Sequence, residues 1–354
     1  MSSRFSYIYL LMGLTILVIA GVTWGLWNQQ RPAPLTIESL SQIENPLSAS
    51  SQPAATPFQE MTIPYLRSRT YQSSLGEMEL LSQNGTYRSY LSSYTSDGLR
   101  INGLLTVPTG EQPVAGWPAI VFIHGYIPPT QYRTTEKYVE YVNYLARNGF
   151  VVFKIDLRGH GASEGEPGGA YYSSDYVIDT LNAQAALAGS SFVDDSKIGL
   201  WGHSMAGNVT LRSLAAKPDI PAAVIWAGAG FSYEDLQEFG ISDNSYRPPS
   251  QNTERQRRRR ELFDTHGEFD PQHPFWRQVI PTNYLSDFGG AIQLHHAVND
   301  ATVNVEYSRN LDQLLGQLNI VHQYHEYQSG GHDIEGASFN QAMQATVDFF
   351  QEHL

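Results

Sequence analysis

The sequence predicts an α/β domain, a mostly parallel sheet flanked by helices, behind an N-terminal transmembrane helix. Three observations point there. Short apolar runs alternate with helix-period segments from Gly116 onward, one long polar and aromatic stretch interrupts them, and Tyr7 to Trp27 is uncharged and largely apolar.

The run YIYLLMGLTILVIAGVTWGLW is long enough to cross about 30 Å of hydrocarbon as a helix, with Tyr and Trp at its ends as interfacial anchors. A cleaved signal peptide is the competing reading, but the run is long for that role and no small-x-small site follows it. Residues 1–27 are therefore expected to anchor the chain in a membrane by a single pass, with the remainder extracytoplasmic; cleavage would make it secreted. Arg4 and Arg31 add almost no charge asymmetry, so orientation rests on the short N-terminal tail staying inside.

Residues 28–70, rich in Pro, Ser and Gln, read as a disordered linker, because such a composition cannot bury enough apolar area to offset chain entropy. The globular domain is expected over 71–354. EMELLS, TYRSYLSSYTSDG and LRINGLLTVPTG, separated by turn signals, look like antiparallel strands opening a sheet. Strands follow at Ala119–Ile123, Phe150–Ile155, Lys197–Trp201, Ala222–Trp226, Ile292–Ala297 and about Ile320–Tyr324. Helix-period segments lie between them, and a closing helix carries Phe339, Met343, Val347 and Phe350. Such alternation implies a parallel sheet covered on both faces, with ligands at the carboxyl ends of its strands. From about 231 to 285 the alternation stops, and a segment of that length without strands reads as a cap or lid. Its run Arg255, Arg257 to Arg260 reads as a solvated helix balanced by Glu254 and Glu261.

The net charge of −13, from 35 acidic against 22 basic residues, disfavours a nucleic-acid partner. With no cysteine, disulfides, thiolate metal sites and a cysteine nucleophile are excluded. Gly159-His160-Gly161-Ala162-Ser163-Glu164-Gly165 mimics a dinucleotide fingerprint, but Glu164 stands where the third glycine belongs and no helix begins there. No cofactor and no metal are expected.

The chemistry-bearing signal is Gly202-His203-Ser204-Met205-Ala206-Gly207, between an apolar strand and a helical segment. A serine on a sharp strand-to-helix turn needs small neighbours for the backbone to fold tightly and expose the hydroxyl. Ala206 replaces the more usual glycine, tolerable if that position needs no positive φ. A serine hydroxyl is a weak nucleophile that requires a base and, behind it, an orienting carboxylate. Asp300, in HHAVNDATV, and His332, in SGGHD, both follow strands, and the order Ser, Asp, His suits delivery to one strand-end crevice. Glu306 is the second choice for the acid. Among the 11 histidines, His295, His296, His322 and His325 read as packing or edge residues, and His124 and His203 as structural neighbours of the loops. Asp156 is expected to hold its loop together with Arg158. Oxyanion donors are expected at the backbone N–H of Met205 and, in the loop VFIHGY, of Tyr126.

VFIHGY, DLRGHGASEG, GLWGHSMAG, HHAVNDATV and SGGHD, in this order, resemble the catalytic domain of the prolyl oligopeptidase-like branch of α/β-hydrolases, which includes dipeptidyl-peptidase-like and acyl-peptide-hydrolase-like enzymes as well as esterases. The resemblance runs from about Thr86 to Leu354 and implies the α/β-hydrolase fold with Ser204, Asp300 and His332 as a triad. Ala206 and Asn304 depart from its pattern, the latter standing where proline is common. The large members of that branch carry a β-propeller, which residues 1–70 cannot build. The expected activity is therefore ester hydrolysis through an acyl-enzyme. Peptidase action on short peptides is one alternative, and a catalytically silent binding protein on the same fold is another.

Overall fold

The computed structural model of the protein describes residues 56–242 and 254–354. The expected anchor at Tyr7 to Trp27, most of the expected linker, and part of the expected cap, with Pro248-Pro249, lie outside the described residues. Among the described residues no helix is long and apolar enough to cross a membrane.

The strands are β1 (Glu79–Gln83), β2 (Tyr87–Ser96), β3 (Leu99–Pro108), β4 (Trp117–Ile123), β5 (Val151–Ile155), β6 (Val193–His203), β7 (Ala222–Trp226), β8 (Ala291–Ala297) and β9 (Val321–Tyr327). They form one sheet in the order β1-β2-β3-β5-β4-β6-β7-β8-β9. Pairings from β1 to β3, and of β3 with β5, are antiparallel; all later pairings are parallel. The helices are α1 (Ile63–Ser68), α2 (Val139–Arg147), α3 (Asp175–Ala188), α4 (Ala206–Ala216), α5 (Tyr233–Phe239), α6 (Glu254–His266), α7 (Pro274–Val279), α8 (Glu306–Gln317) and α9 (Ala337–His353).

The central strands are apolar throughout because helices cover both faces, as a parallel sheet demands. One face, with Val121, Phe153, Leu200 and Ile225, packs on α3 and α4. The other, with Ile120, Phe122, Trp201 and Trp226, packs on α2 and α9 through Val142, Leu145, Met343 and Phe350. Burying each such side chain is worth about 1.5–3 kcal/mol. The sheet order reverses at β4, so the loops after β4 and β6 open side by side, the position where ligands bind open α/β sheets.

The linker expectation fails over residues 56–70. Gln59–Met61 forms a 3-10 turn and α1 follows, burying Met61, Ile63 and Leu66 completely. Thr62 caps α1, accepting from Tyr65 N at 3.3 Å. Buried Arg212 of α4 donates to Met61 O at 2.8 Å, and Arg67 Nε donates to Ala215 O at 2.7 Å. The segment is thus stapled to the helix after Ser204.

Between β7 and β8 the described residues contain only helices and a 3-10 stretch, Pro281–Asp287. Tyr233, Leu262, Phe275, Trp276, Val279 and Ile280 form a separate small core with Met61, so these aromatics pack inward. In the arginine run, Arg257 lies 3.7 Å from Glu261 and Arg258 2.6 Å from Glu60, while the Arg259 guanidinium sits over Tyr172 at 4.6 Å.

Candidate active site

Ser204 occupies the turn between β6 and α4 with φ 58, a left-handed conformation that costs a non-glycine residue about 1–2 kcal/mol. The turn holds it there: Ser204 N donates to Trp226 O at 2.9 Å, and Ser204 O accepts from Gly207 N at 2.8 Å and Ala229 N at 3.1 Å. Neighbouring side chains have no room. A Cβ on Gly202 would meet Thr210 Oγ1 at 2.4 Å, and one on Gly207 would meet Gly228 Cα at 2.7 Å. Ala206 is absent from the positive-φ positions and begins α4, so its extra methyl is accommodated without strain.

Asp300 and His332 come together from the loops after β8 and β9. His332 Nδ1 donates to Asp300 Oδ2 at 2.8 Å, and the carboxylate is fully buried. Asp300 Oδ1 accepts from the N–H groups of Thr302 at 2.8 Å and Val303 at 3.0 Å. Gly330 and Gly331, at φ 134 and 62, bend the second loop back, and Gly331 N donates to Asn299 Oδ1 at 3.0 Å. Burial alone would raise the Asp300 pKa, but hydrogen bonds from His296 and His332 outweigh it and hold the carboxyl well below the usual carboxylate range.

His296 differs from its expected packing role. Its Nε2 lies 3.2 Å from Asp300 Oδ2 and 3.0 Å from Val303 O, while Nδ1 accepts from Ser308 Oγ at 2.7 Å. In the sequence the hint of this contact is the four-residue spacing from His296 to Asp300. Glu306 instead pairs with Arg309 at 2.6 Å on the surface of α8.

His203, preceding Ser204, brings the serine turn against the histidine loop: its ring lies 4.6 Å from that of His332, and its Nε2 donates to His332 O at 2.9 Å. Among the described residues no hydrogen bond joins Ser204 Oγ to His332. Met205 is buried at the start of α4, and Tyr126 follows Gly125 in the loop after β4. That loop lies directly on the serine turn, since a Cβ on Gly125 would meet His203 Nδ1 at 3.0 Å and His203 O at 3.2 Å.

Asp156 also holds this loop, but not through Arg158. Its carboxylate accepts from Tyr132 OH at 2.7 Å and Thr134 Oγ1 at 2.6 Å, whereas Arg158 pairs with Asp179 at 2.7 Å. Buried Lys154 donates to Tyr132 OH at 3.0 Å, and burial lowers its pKa to about 8.

This architecture is the α/β-hydrolase fold, shared with solved structures on which the chain superposes. Residues 118–245 match the family described as serine aminopeptidase, S33. Dipeptidyl peptidase 8 of Homo sapiens is 29% identical over 164 residues, 45% of this chain and 18% of that protein, so the match spans under a fifth of the relative. An acetyl xylan esterase from Paenibacillus sp. R4 superposes with a TM-score of 0.56 at 19% identity, covering 82% of this chain and 92% of the esterase. Porphyromonas gingivalis dipeptidyl peptidase 4 gives 0.53 at 20% identity, covering 76% of this chain and 36% of that one.

Proposed function

We propose that the protein is a serine hydrolase that cleaves an ester through an acyl-enzyme intermediate. The observation that carries this reading is the hydrogen bond between His332 and the buried Asp300 carboxylate, assembled from two separate strand-end loops against the strained turn that presents Ser204. Ser204 Oγ attacks the substrate carbonyl as His332 Nε2 takes its proton. Asp300 fixes the imidazole with Nδ1 protonated and stabilises the imidazolium. The N–H groups of Met205 and Tyr126 receive the developing oxyanion. His332 then protonates the leaving alcohol, and water, deprotonated by the same imidazole, releases the acid.

The ester preference is supported by the esterase neighbour being matched over nearly its full length, whereas the peptidase neighbour is matched over about a third. A serine peptidase acting on short peptides is favoured by the aminopeptidase family match. Turnover of p-nitrophenyl esters beside aminoacyl p-nitroanilides separates the two. A folded chain that cleaves neither panel and resists a fluorophosphonate would refute hydrolysis and leave a binding protein on this fold.

The uncharged stretch Tyr7 to Trp27 supports membrane anchoring with the hydrolase domain extracytoplasmic. Fractionation with and without detergent tests it, and release as a shortened soluble protein would instead indicate secretion after signal cleavage.

A further inference from the structure

Three loops must hold their relative positions for the proposed chemistry: the one after β4 with the oxyanion donor, the serine turn after β6, and the histidine loop after β9. One chain of hydrogen bonds runs through all three. Gly125 N–H donates to Tyr138 OH at 3.1 Å, Tyr138 OH donates to His203 Nδ1 at 2.7 Å, and His203 Nε2–H donates to His332 O at 2.9 Å. Each group uses its capacity consistently: the phenol accepts once and donates once, and a neutral imidazole accepts at one nitrogen and donates at the other. Burial, with the neighbouring His332 next in weight, lowers the His203 pKa to about 4, which keeps the ring in that neutral form. Asp333 Oδ1 lies farther from His203 Nε2, at 3.6 Å.

Tyr138 sits at the start of α2 with φ 61, a conformation disfavoured for an aromatic residue. Its ring packs on Phe122 at 5.6 Å and Trp201 at 6.2 Å. Ring packing would persist in phenylalanine, so the hydroxyl is the separable part.

We propose that Tyr138 and His203 are positioning residues that lock the oxyanion loop, the serine turn and the histidine loop into one geometry. This rests on the serine-hydrolase reading above. They touch no reacting atom; they act by keeping Tyr126 N–H and His332 aligned on Ser204, and small misplacements of such groups cost rate rather than ground-state binding.

The test uses the full chain, with wild type, Tyr138→Phe, His203→Phe and the double variant compared by ester turnover, by fluorophosphonate labelling rate and by thermal melting. Tyr138→Phe is expected to melt cooperatively and to label and turn over about ten-fold more slowly, the factor that 1.4 kcal/mol represents, with KM nearly unchanged. The double variant is expected to be no slower than the slower single variant, since both break one chain. Wild-type labelling rates in Tyr138→Phe, multiplicative losses in the double variant, or loss of the cooperative melt in Tyr138→Phe would each overturn the inference while leaving the hydrolase reading standing. A wild-type chain that neither labels nor turns over would overturn that reading, and the inference with it.

Discussion

Replacing Asp300 with asparagine changes one atom, and the surroundings dictate how the amide must lie. Oδ1 accepts from two backbone N–H groups, Thr302 at 2.8 Å and Val303 at 3.0 Å, so the asparagine oxygen is held there. Its NH2 then takes the place of Oδ2, facing His332 Nδ1 at 2.8 Å and His296 Nε2 at 3.2 Å. A donor at that point forces His332 to accept at Nδ1 and carry its proton on Nε2, the nitrogen that should receive the proton of Ser204. The same NH2 faces the N–H of His296, which is held towards Val303 O. The wrong tautomer costs a hydrolase of this type about ten-thousand-fold in kcat, or about 5.4 kcal/mol. Ester turnover and fluorophosphonate labelling at pH 7 measure it, with KM expected to change little. Activity of Asp300→Asn within about ten-fold of wild type would refute the orienting role.

His296→Phe removes one donor to the Asp300 carboxylate and leaves Ser308 Oγ and Val303 O short of a partner. A loss of about 2–4 kcal/mol in urea unfolding is expected. The Asp300 pKa is lowered in the folded chain, so its contribution to stability is present above the unfolded value and is lost as pH falls through the folded one. Removing His296 raises the folded value, so acid unfolding should move to higher pH; an unmoved acid limb would refute the contact. A chain beginning at residue 70 lacks buried Met61, Ile63 and Leu66 and the carbonyl that Arg212 uses, and should unfold several kcal/mol more easily than one beginning at residue 56, as thermal melting of both would reveal. Equal midpoints would contradict the docking of α1.

The strand and helix alternation was legible because a parallel sheet leaves its strands apolar on both faces, and Ala222–Trp226 falls where the pattern placed it. The Asp300–His332 pairing was legible for a chemical reason, since a serine at a glycine-flanked turn requires a base and an acid at later strand ends. Other contacts needed the folded chain. His296 reads as packing until the turn after β8, closed by Asp300 N to Ala297 O at 3.1 Å, folds the carboxylate back onto it. Tyr138 stands at helical spacing with the apolar Val142 and Leu145, and nothing local marks its hydroxyl as a bridge. The segment at 56–70 follows a long polar run, and Arg212, which captures it, lies 151 residues away in sequence. Asp156 and Arg158, two residues apart, read as holding one loop together, yet Arg158 finds its bidentate partner in Asp179 on α3.

The role of Ser204 as nucleophile is tested most directly by fluorophosphonate labelling of the full chain beside Ser204→Ala, read by intact mass and accompanied by p-nitrophenyl ester turnover. One adduct and measurable turnover are expected in the wild type, both abolished in the variant. Labelling at another residue, or turnover that survives in Ser204→Ala, would contradict it.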